Sequence, residues 1–165
     1  MLKEEKGISL GNCMSGDDFE LWVRCVLRGV GFYAESTGRE DKGVDIVATI
    51  TEGGCELRYY IQCKFFNRTV ANAAVQEVHT GYDYRKKKGY PDGYPVVITN
   101  NYMTPDAKEC AATLGIETIT RTELDELSKL AHGKEDINDS YTGLMGLLVG
   151  KIAKREDLVQ KAVLS

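Results

Sequence analysis

The chain of 165 residues is 42% hydrophobic and 28% charged, with a formal net charge of −4 at pH 7. These values are typical of one soluble globular domain with a substantial core. Residues 1–12 lack the apolar stretch of a signal peptide, and no segment is long enough to span a bilayer, so no membrane partner is expected. Five scattered cysteines without paired spacing predict reduced thiols and a cytoplasmic location.

The first predicted element is a helix that follows Ser15 as its N-cap. Apolar residues recur after it at helical spacing: Phe19, Trp22, Val23, Val26, Leu27 and Val30. Glu20 lies at the border of this apolar stripe. Its carboxylate would either reach a metal site or face solvent, and the sequence leaves both open. Residues 32–36 then predict a first strand.

Two further strands are predicted at residues 44–50 and 57–64, joined by a hairpin turn at Gly53-Gly54. A two-residue turn places Asp45 directly opposite Gln62, whereas an odd-length loop or a bulge would shift the register. Alternation puts Lys64 on the same face. The opposite face is then apolar, made by Val44, Ile46, Ala48, Ile50, Leu57, Tyr59, Ile61 and Cys63.

This face brings together a carboxylate, an amide and an ammonium. Asp45 and the side-chain carbonyl of Gln62 are hard oxygen ligands, and the main-chain carbonyl of Cys63 could add a third. Mg²⁺ accepts such a partial shell when water and substrate phosphate complete it, and Mn²⁺ should substitute. Lys64 would act on the attacking water and on charge at the phosphate. The alternative is an Asp45–Lys64 ion pair with Gln62 exposed.

The remaining predicted elements alternate between helices and strands. A helix is predicted at 71–87 and a strand at 96–100. A further helix is predicted with Thr104 as its N-cap, Pro105 at its first helical position and Gly115 just past its end. A strand at 116–119 follows, and Thr122 with Asp125 is predicted to begin another helix. The sequence therefore predicts an α/β fold whose mixed sheet is antiparallel early and parallel later.

Over about residues 16–127 the pattern resembles the Mrr-like restriction endonuclease branch of the PD-(D/E)XK nuclease superfamily. The resemblance is carried by Glu20, by Gly43-Val44-Asp45, where Val44 replaces the usual proline, and by Gln62-Cys63-Lys64. It implies a restriction-endonuclease-like mixed sheet flanked by helices in α-β-β-β-α-β order. It also implies a metal-dependent DNA endonuclease of restriction or genome-defence type. The implied catalytic residues are Glu20, Asp45, Gln62 and Lys64, and the implied metal ligands are Asp45, Gln62, Cys63 and Glu20.

The net charge is unusual for a DNA-binding protein, which should show a basic surface. The candidates for DNA contact are Arg39, Lys42, Asn67, Arg68, Arg85, Lys86, Lys87 and Lys88. Basic residues at a helix end are also favoured by the helix dipole, so the last four have a structural alternative. The alternative function is a non-catalytic nucleic-acid-binding or interaction module, or a subunit of a larger defence or repair assembly.

Three regions are predicted: an N-terminal extension (1–14), a nuclease-like core (15–131), and a linker with a C-terminal amphipathic segment (132–165). The apolar stretch 144–149 within the last region either covers the core or mediates assembly. A duplex has two antiparallel strands, so a single-domain enzyme that cuts both acts most simply as a homodimer.

Overall fold

The computed structural model of the chain describes residues 10–29, 31–38 and 42–123. The predictions for residues 1–9, Arg39, Asp125 and the segment 132–165 lie outside these ranges. A 3-10 helix at Leu10–Asn12 precedes the main elements. These are α1 (Gly16–Gly29), β1 (Tyr33–Ser36), β2 (Ile46–Glu52), β3 (Cys55–Lys64), α2 (Asn72–Lys87), β4 (Tyr94–Thr99), α3 (Pro105–Leu114) and β5 (Glu117–Ile119).

The five strands form one sheet in the order β1-β2-β3-β4-β5. The first three strands pair antiparallel, whereas β4 and β5 pair parallel to their neighbours. The parallel steps require crossover helices, which α2 and α3 supply. The predicted mixed sheet flanked by helices is therefore confirmed. None of the helices in the described ranges is both long and apolar enough to cross a membrane.

The predicted hairpin register between β2 and β3 is also confirmed. Glu52 pairs with Cys55, and the ladder continues to Ile46 opposite Ile61. Gly53 and Gly54 form the loop with φ values of 57° and 81°. Positive φ at both central residues is the requirement of a type I′ turn, whose twist matches that of the strands. Two glycines thus set the register that places Asp45 near Gln62.

Helices cover both faces of the sheet. On one face α1 packs Phe19, Trp22 and Leu27 over Ile46 and other residues of β1–β4. On the other face α2 and α3 pack over a second cluster, which includes Val44, Val47, Tyr60, Val75, Val78 and Ala107. Val44 was predicted on the same face as Ile46, and this was wrong. The strand begins only at Ile46, after a turn at Lys42 and Gly43 with positive φ, so strict alternation does not extend back to Val44.

Both ends of α3 follow the prediction. The Thr104 side chain accepts from the amide of Ala107 at 3.1 Å, and Gly115 ends the helix with φ of 71°. The next helix begins earlier than predicted. Residues 121–123 are helical, and the backbone amide of Thr120 donates to the Glu123 carboxylate at 2.8 Å. Thr120, not Thr122, therefore precedes this helix as its cap.

Candidate active site

A cavity of about 860 Å³ opens between α1, the start of β2, the end of β3 and α2. All four residues predicted as catalytic line it: Glu20, Asp45, Gln62 and Lys64. They come from two elements, α1 and β3, and from the turn before β2. The fold therefore brings the predicted residues to one place, and we call this space the active-site cavity.

The turn that leads to Asp45 lies directly against α2. A Cβ atom on Gly43 would lie 2.0 Å from the carbonyl oxygen of Glu77, and one on Gly81 would lie 2.2 Å from the carbonyl oxygen of Lys42. Only glycine at both positions allows two backbones to approach so closely. Gly43 also has φ of 88°. These two glycines fix where the chain enters β2, and hence where the Asp45 carboxylate lies.

Asp45 is held against β3 by three hydrogen bonds. Its backbone amide donates to the carbonyl of Ile61 at 2.7 Å. Its Oδ2 atom accepts from the side-chain amide of Gln62 at 3.0 Å and from the backbone amide of Cys63 at 2.8 Å. Hydrogen bonds to a charged acceptor are among the stronger ones in proteins. The carboxylate is thus fixed beside Gln62, as the hairpin register predicted.

Gln62 is buried, with 5% of its surface exposed. While its nitrogen donates to Asp45, its Oε1 atom is buried and has no hydrogen-bond partner. An unsatisfied buried carbonyl costs about 1–3 kcal/mol. The opposite amide orientation would point oxygen at a carboxylate, so the orphaned atom must be the oxygen. A lone buried oxygen beside a carboxylate is what a hard divalent cation would satisfy, so these residues fit a metal ion.

The described residues contain no cluster of three or more His, Cys, Asp or Glu side chains placed to hold a metal ion. A site with few protein ligands is nevertheless the pattern of magnesium, which keeps several waters and uses one or two carboxylates with substrate phosphate. The donor set of Asp45 and Gln62 is therefore consistent with magnesium. Structural zinc sites instead use four cysteine or histidine ligands.

Lys64 forms an ion pair that the sequence analysis did not predict. Its Nζ atom lies 2.7 Å from Oε2 of Glu77 on α2. The Lys64 side chain is 18% exposed, and that of Glu77 is 46% exposed. The alternative arrangement, an Asp45–Lys64 pair with an exposed Gln62, is wrong because Gln62 is buried and Lys64 pairs with Glu77. The ammonium is thus held at the cavity wall by α2.

Glu20 enters the cavity from the first turns of α1. This helix begins as predicted, because the Ser15 hydroxyl accepts from the amide of Asp18 at 3.2 Å. The Glu20 carboxylate accepts from the hydroxyl of Ser36, at the end of β1, at 2.7 Å. Glu20 lines the active-site cavity, and the prediction that its carboxylate reaches a metal stays a prediction. Ser36 was not predicted as a site residue.

Cys63 lies between Gln62 and Lys64 in the sequence. Burial raises the pKa of its thiol well above the ordinary value, and the nearby carboxylates of Asp45 and Glu20 raise it further, against an opposing effect of Arg24. The thiol therefore stays protonated at neutral pH, since thiolate character needs a lowered pKa. The predicted ligand at this residue is its main-chain carbonyl, and that assignment stays a prediction.

The predicted DNA-contact residues divide into four groups, of which the last is the basic cluster at the end of α2. Arg39 lies outside the described ranges. Lys42 and Lys88 place their ammonium groups 6.0 Å and 5.7 Å from the centre of the Tyr84 ring, which lines the active-site cavity. Asn67 and Arg68 line a second cavity beyond β3.

The basic cluster at the end of α2 has mainly structural contacts. Arg85 is buried, with 7% of its surface exposed, and its guanidinium contacts the carbonyl of Gly81 at 3.4 Å. The burial of Arg85 therefore argues against the prediction that it contacts a phosphate. Lys86 lies 3.5 Å from Asp92, and Lys87 lies 3.0 Å from Asp83. Both are exposed pairs, so both ammonium groups remain accessible to a ligand.

Sequence reasoning missed the contribution of α2 to the cavity. Ala73, Glu77, Thr80 and Tyr84 all line it. Their spacings of four, three and four residues place them on one helical face. This polar face was visible in the sequence as a stripe opposite Ala74, Val75 and Val78, which are buried. It could have shown that a second wall of the site follows Lys64 in the chain.

A family model described as restriction endonuclease, of the Mrr catalytic type, matches residues 12–128 of the chain. No curated protein matches the chain at a significant level. Among solved structures, the chain is similar to a crystal structure of a protein of unknown function, AF1548. The TM-score is 0.50 with 16% identity, over 87% of this chain and 95% of that one. This similarity concerns the fold.

Two restriction enzymes show weaker similarity. MspJI restriction endonuclease, solved with a 27-mer oligonucleotide, gives a TM-score of 0.45 and 16% identity over 87% of this chain and 30% of that one. The DNA modification-dependent restriction endonuclease AspBHI gives a TM-score of 0.46 and 15% identity over 88% of this chain and 34% of that one. The chain thus spans about a third of the length of each of these two enzymes.

Proposed function

Because the chain belongs to the Mrr-type restriction endonuclease family of the PD-(D/E)XK superfamily, we propose that it is a magnesium-dependent DNA endonuclease of restriction or genome-defence type. The proposed site is the active-site cavity, with Asp45 and Gln62 as metal ligands. The observation that carries the metal proposal is the buried Oε1 atom of Gln62, which has no partner and lies beside the Asp45 carboxylate.

A bound divalent ion would supply Lewis-acid stabilisation of a phosphoryl oxygen and a water of lowered pKa. Asp45 would provide its carboxylate, and Gln62 its orphaned carbonyl, which supports the choice of a hard cation. The main-chain carbonyl of Cys63 is the proposed third protein ligand. The hydrogen bonds from Gln62 and from the Cys63 amide keep the Asp45 carboxylate in one orientation without metal. A ligand fixed in advance loses less entropy on binding.

Lys64 is the proposed cation that acts on the attacking water and on the charge that develops at phosphorus. Positioned charge at a reacting phosphate usually stabilises the transition state more than the ground state. Glu77 holds the Lys64 ammonium at 2.7 Å in the described structure. Glu20, held by Ser36 at 2.7 Å, is proposed to contact the metal either directly or through water.

DNA is the proposed substrate, and local positive charge supports it despite the net charge of −4. Lys42 and Lys88 flank Tyr84 at the rim of the active-site cavity, where a phosphate backbone would pass. A bound metal ion would also offset the negative charge of the Asp45 and Glu20 carboxylates. Association should weaken as salt increases, since neutralised phosphates release counterions.

The test is cleavage of plasmid, single-stranded and methylated DNA by the purified chain in Mg²⁺, in Mn²⁺ and in EDTA. We expect cleavage with either metal and none in EDTA. The matched control is Asp45→Asn, which has nearly the same shape without the charge and should be inactive. DNA binding without cleavage under every metal condition would overturn the proposal in favour of a non-catalytic binding module. Equal cleavage in EDTA would overturn its metal dependence.

A further inference from the structure

A second cavity, of about 750 Å³, lies next to the active-site cavity. Phe65 and Phe66, which directly follow Lys64, line both spaces. The second cavity is completed by residues that follow β4 and β5, so it lies at the carboxyl ends of three neighbouring parallel strands. Ligands of open α/β sheets commonly bind at this edge. Its size is within the usual range for a small-ligand site.

The two cavities differ in charge. The active-site cavity is lined by four carboxylates and only two ammonium groups, those of Asp17, Glu20, Asp45 and Glu77 and of Lys42 and Lys64. The second cavity is lined by two arginines, Arg68 and Arg121, and by no acidic residue among those described. Guanidinium groups bind phosphates through paired hydrogen bonds. The second cavity is therefore suited to an anionic ligand.

Aromatic side chains form much of the remaining wall. Tyr102 is 50% exposed and lines the cavity. The guanidinium carbon of Arg68 lies 5.1 Å from the centre of the Phe66 ring. Aromatic faces next to arginines are the usual platform for unpaired bases, because every base can stack on them. The ligand class that satisfies both the charge and the aromatic surface is a nucleotide.

The wall of this cavity is tied together by hydrogen bonds between three chain segments. Asn100 bonds to both the amide and the carbonyl of Phe66, at 2.9 Å and 3.1 Å, and Asn101 donates to the same carbonyl at 3.1 Å. The amide of Arg121 donates to the carbonyl of Asn101 at 2.9 Å. The cavity is thus formed before any ligand arrives, which lowers the entropic cost of binding.

The second cavity is close enough to the active site to hold the same DNA strand. Lys64 Nζ lies 5.7 Å from the centre of the Phe66 ring, and Arg68 lies 5.1 Å from the same point. The two cations are therefore at most about 11 Å apart, the sum of these distances. A strand whose phosphate lies at Lys64 would bring a neighbouring nucleotide to Arg68.

We propose that the second cavity binds one unpaired nucleotide of the substrate strand, next to the phosphodiester that is cut. Its phosphate would lie on Arg68 and Arg121, and its base would stack on Tyr102. This inference rests on the proposed nuclease function and specifies its substrate class. A base inside a duplex must leave the stack before it can enter a pocket. The preferred substrate is therefore DNA that is single-stranded or unpaired beside the cut.

The test measures binding by fluorescence anisotropy, with the full chain in EDTA, to a short single strand and to a blunt duplex of the same sequence. We expect tighter binding of the single strand. Tyr102→Ala should weaken single-strand binding roughly tenfold and leave duplex binding unchanged, because stacking contributes only where a base is free. Arg68→Ala and Arg121→Ala should each reduce the salt dependence of single-strand binding by about one unit of slope.

Lys108→Ala is the control, because Lys108 is exposed on α3 and lines neither cavity. Tyr102→Phe keeps the ring and should bind like wild type, so it separates stacking from misfolding. If Tyr102→Ala binds both probes as wild type does, or if the arginine variants keep the full salt slope, the inference is wrong while nuclease activity can stand. A chain that shows the expected binding but cuts no DNA overturns the proposed function instead.

Discussion

The ammonium of Lys64, at the end of β3, lies 2.7 Å from the carboxylate of Glu77 on α2. The cation proposed to act at the phosphate is therefore held by the helix that follows it in the chain. Two long side chains lose rotamer freedom when they pair. Glu77 thus restricts Lys64 to the cavity wall, and we infer that it is a positioning residue.

The first prediction is that Lys64→Ala lowers the cleavage rate by about 10²–10³ with little change in Mn²⁺ affinity, because Lys64 is proposed to stabilise the transition state and not to bind metal. Glu77→Gln should lower the rate less. The losses of rate in the two single variants should not be additive in the double variant, since Glu77 is proposed to act through Lys64. Single-turnover rates of both variants and the double variant, with calorimetric titration of Mn²⁺, form the measurement. Additive losses would show that Glu77 acts independently of Lys64.

The second prediction concerns Asp45→Ala. This change should abolish metal-dependent cleavage, and it should also lower the free energy of unfolding by about 1–3 kcal/mol, because the Gln62 and Cys63 donors lose their acceptor. Urea denaturation monitored by circular dichroism measures the second effect. Ser36→Ala, which removes a donor to Glu20 but leaves Asp45 intact, is the control. Cleavage by Asp45→Ala at the wild-type rate would end the assignment of the site.

The sequence predicted the Asp45–Gln62 contact because its determinants are local. Gly53-Gly54 defines a two-residue turn, and the turn sets the register of the hairpin. Alternation along each strand then determines which side chains share a face. The caps of α3 were predictable for the same reason, since Thr104, Pro105 and Gly115 each act within one helical turn.

Other features depend on contacts between distant segments, and the sequence alone did not reveal them. The Lys64–Glu77 pair requires the orientation of α2 on the sheet, which packing of Val75 and Val78 determines. Val44 was assigned to the wrong face because the turn at Gly43 interrupts the strand pattern. Arg85 ends a helix in a run of basic residues, yet it is buried. Composition could not distinguish it from its exposed neighbours.

The third prediction tests the metal ligands through stability. Gln62→Glu places a second carboxylate beside Asp45, at a position where the wild-type amide donates to it. Without metal, a buried carboxylate at residue 62 and the partly buried carboxylate of Asp45 should repel each other and lower the melting temperature. Mg²⁺ or Mn²⁺ should then raise the melting temperature more in this variant than in wild type, because binding to the folded state stabilises it. Thermal denaturation with metal and with EDTA is the measurement. An unchanged response to metal would argue against a ligand at residue 62.

The fourth prediction concerns assembly and stays based on the sequence, because residues 144–149 lie outside the described ranges. We expect a homodimer in solution, since one site cuts one strand and a duplex has two. Leu147→Asp should give monomers that nick plasmid without linearising it. Light scattering measures the molar mass, and gel analysis separates nicked from linear plasmid. A wild-type monomer that still linearises plasmid would contradict the dimer.

The last prediction is that Gly81→Ala damages both the fold and the site. The added Cβ would meet the Lys42 carbonyl oxygen at 2.2 Å, so the turn before Asp45 and α2 must move apart. Overpacking of this kind costs about 1–3 kcal/mol.

Gly16→Ala is the matched control, because its Cβ would meet no atom within 4 Å, and it should change stability by no more than about 0.5 kcal/mol. Urea denaturation measures stability, and cleavage rates measured well below the denaturation midpoint report on the site. Since Gly81 contacts the turn and no proposed ligand, a loss of activity in the folded variant would show that the close approach of α2 to this turn sets the position of Asp45. A folded Gly81→Ala protein with wild-type stability and rate would show that the turn can shift without cost.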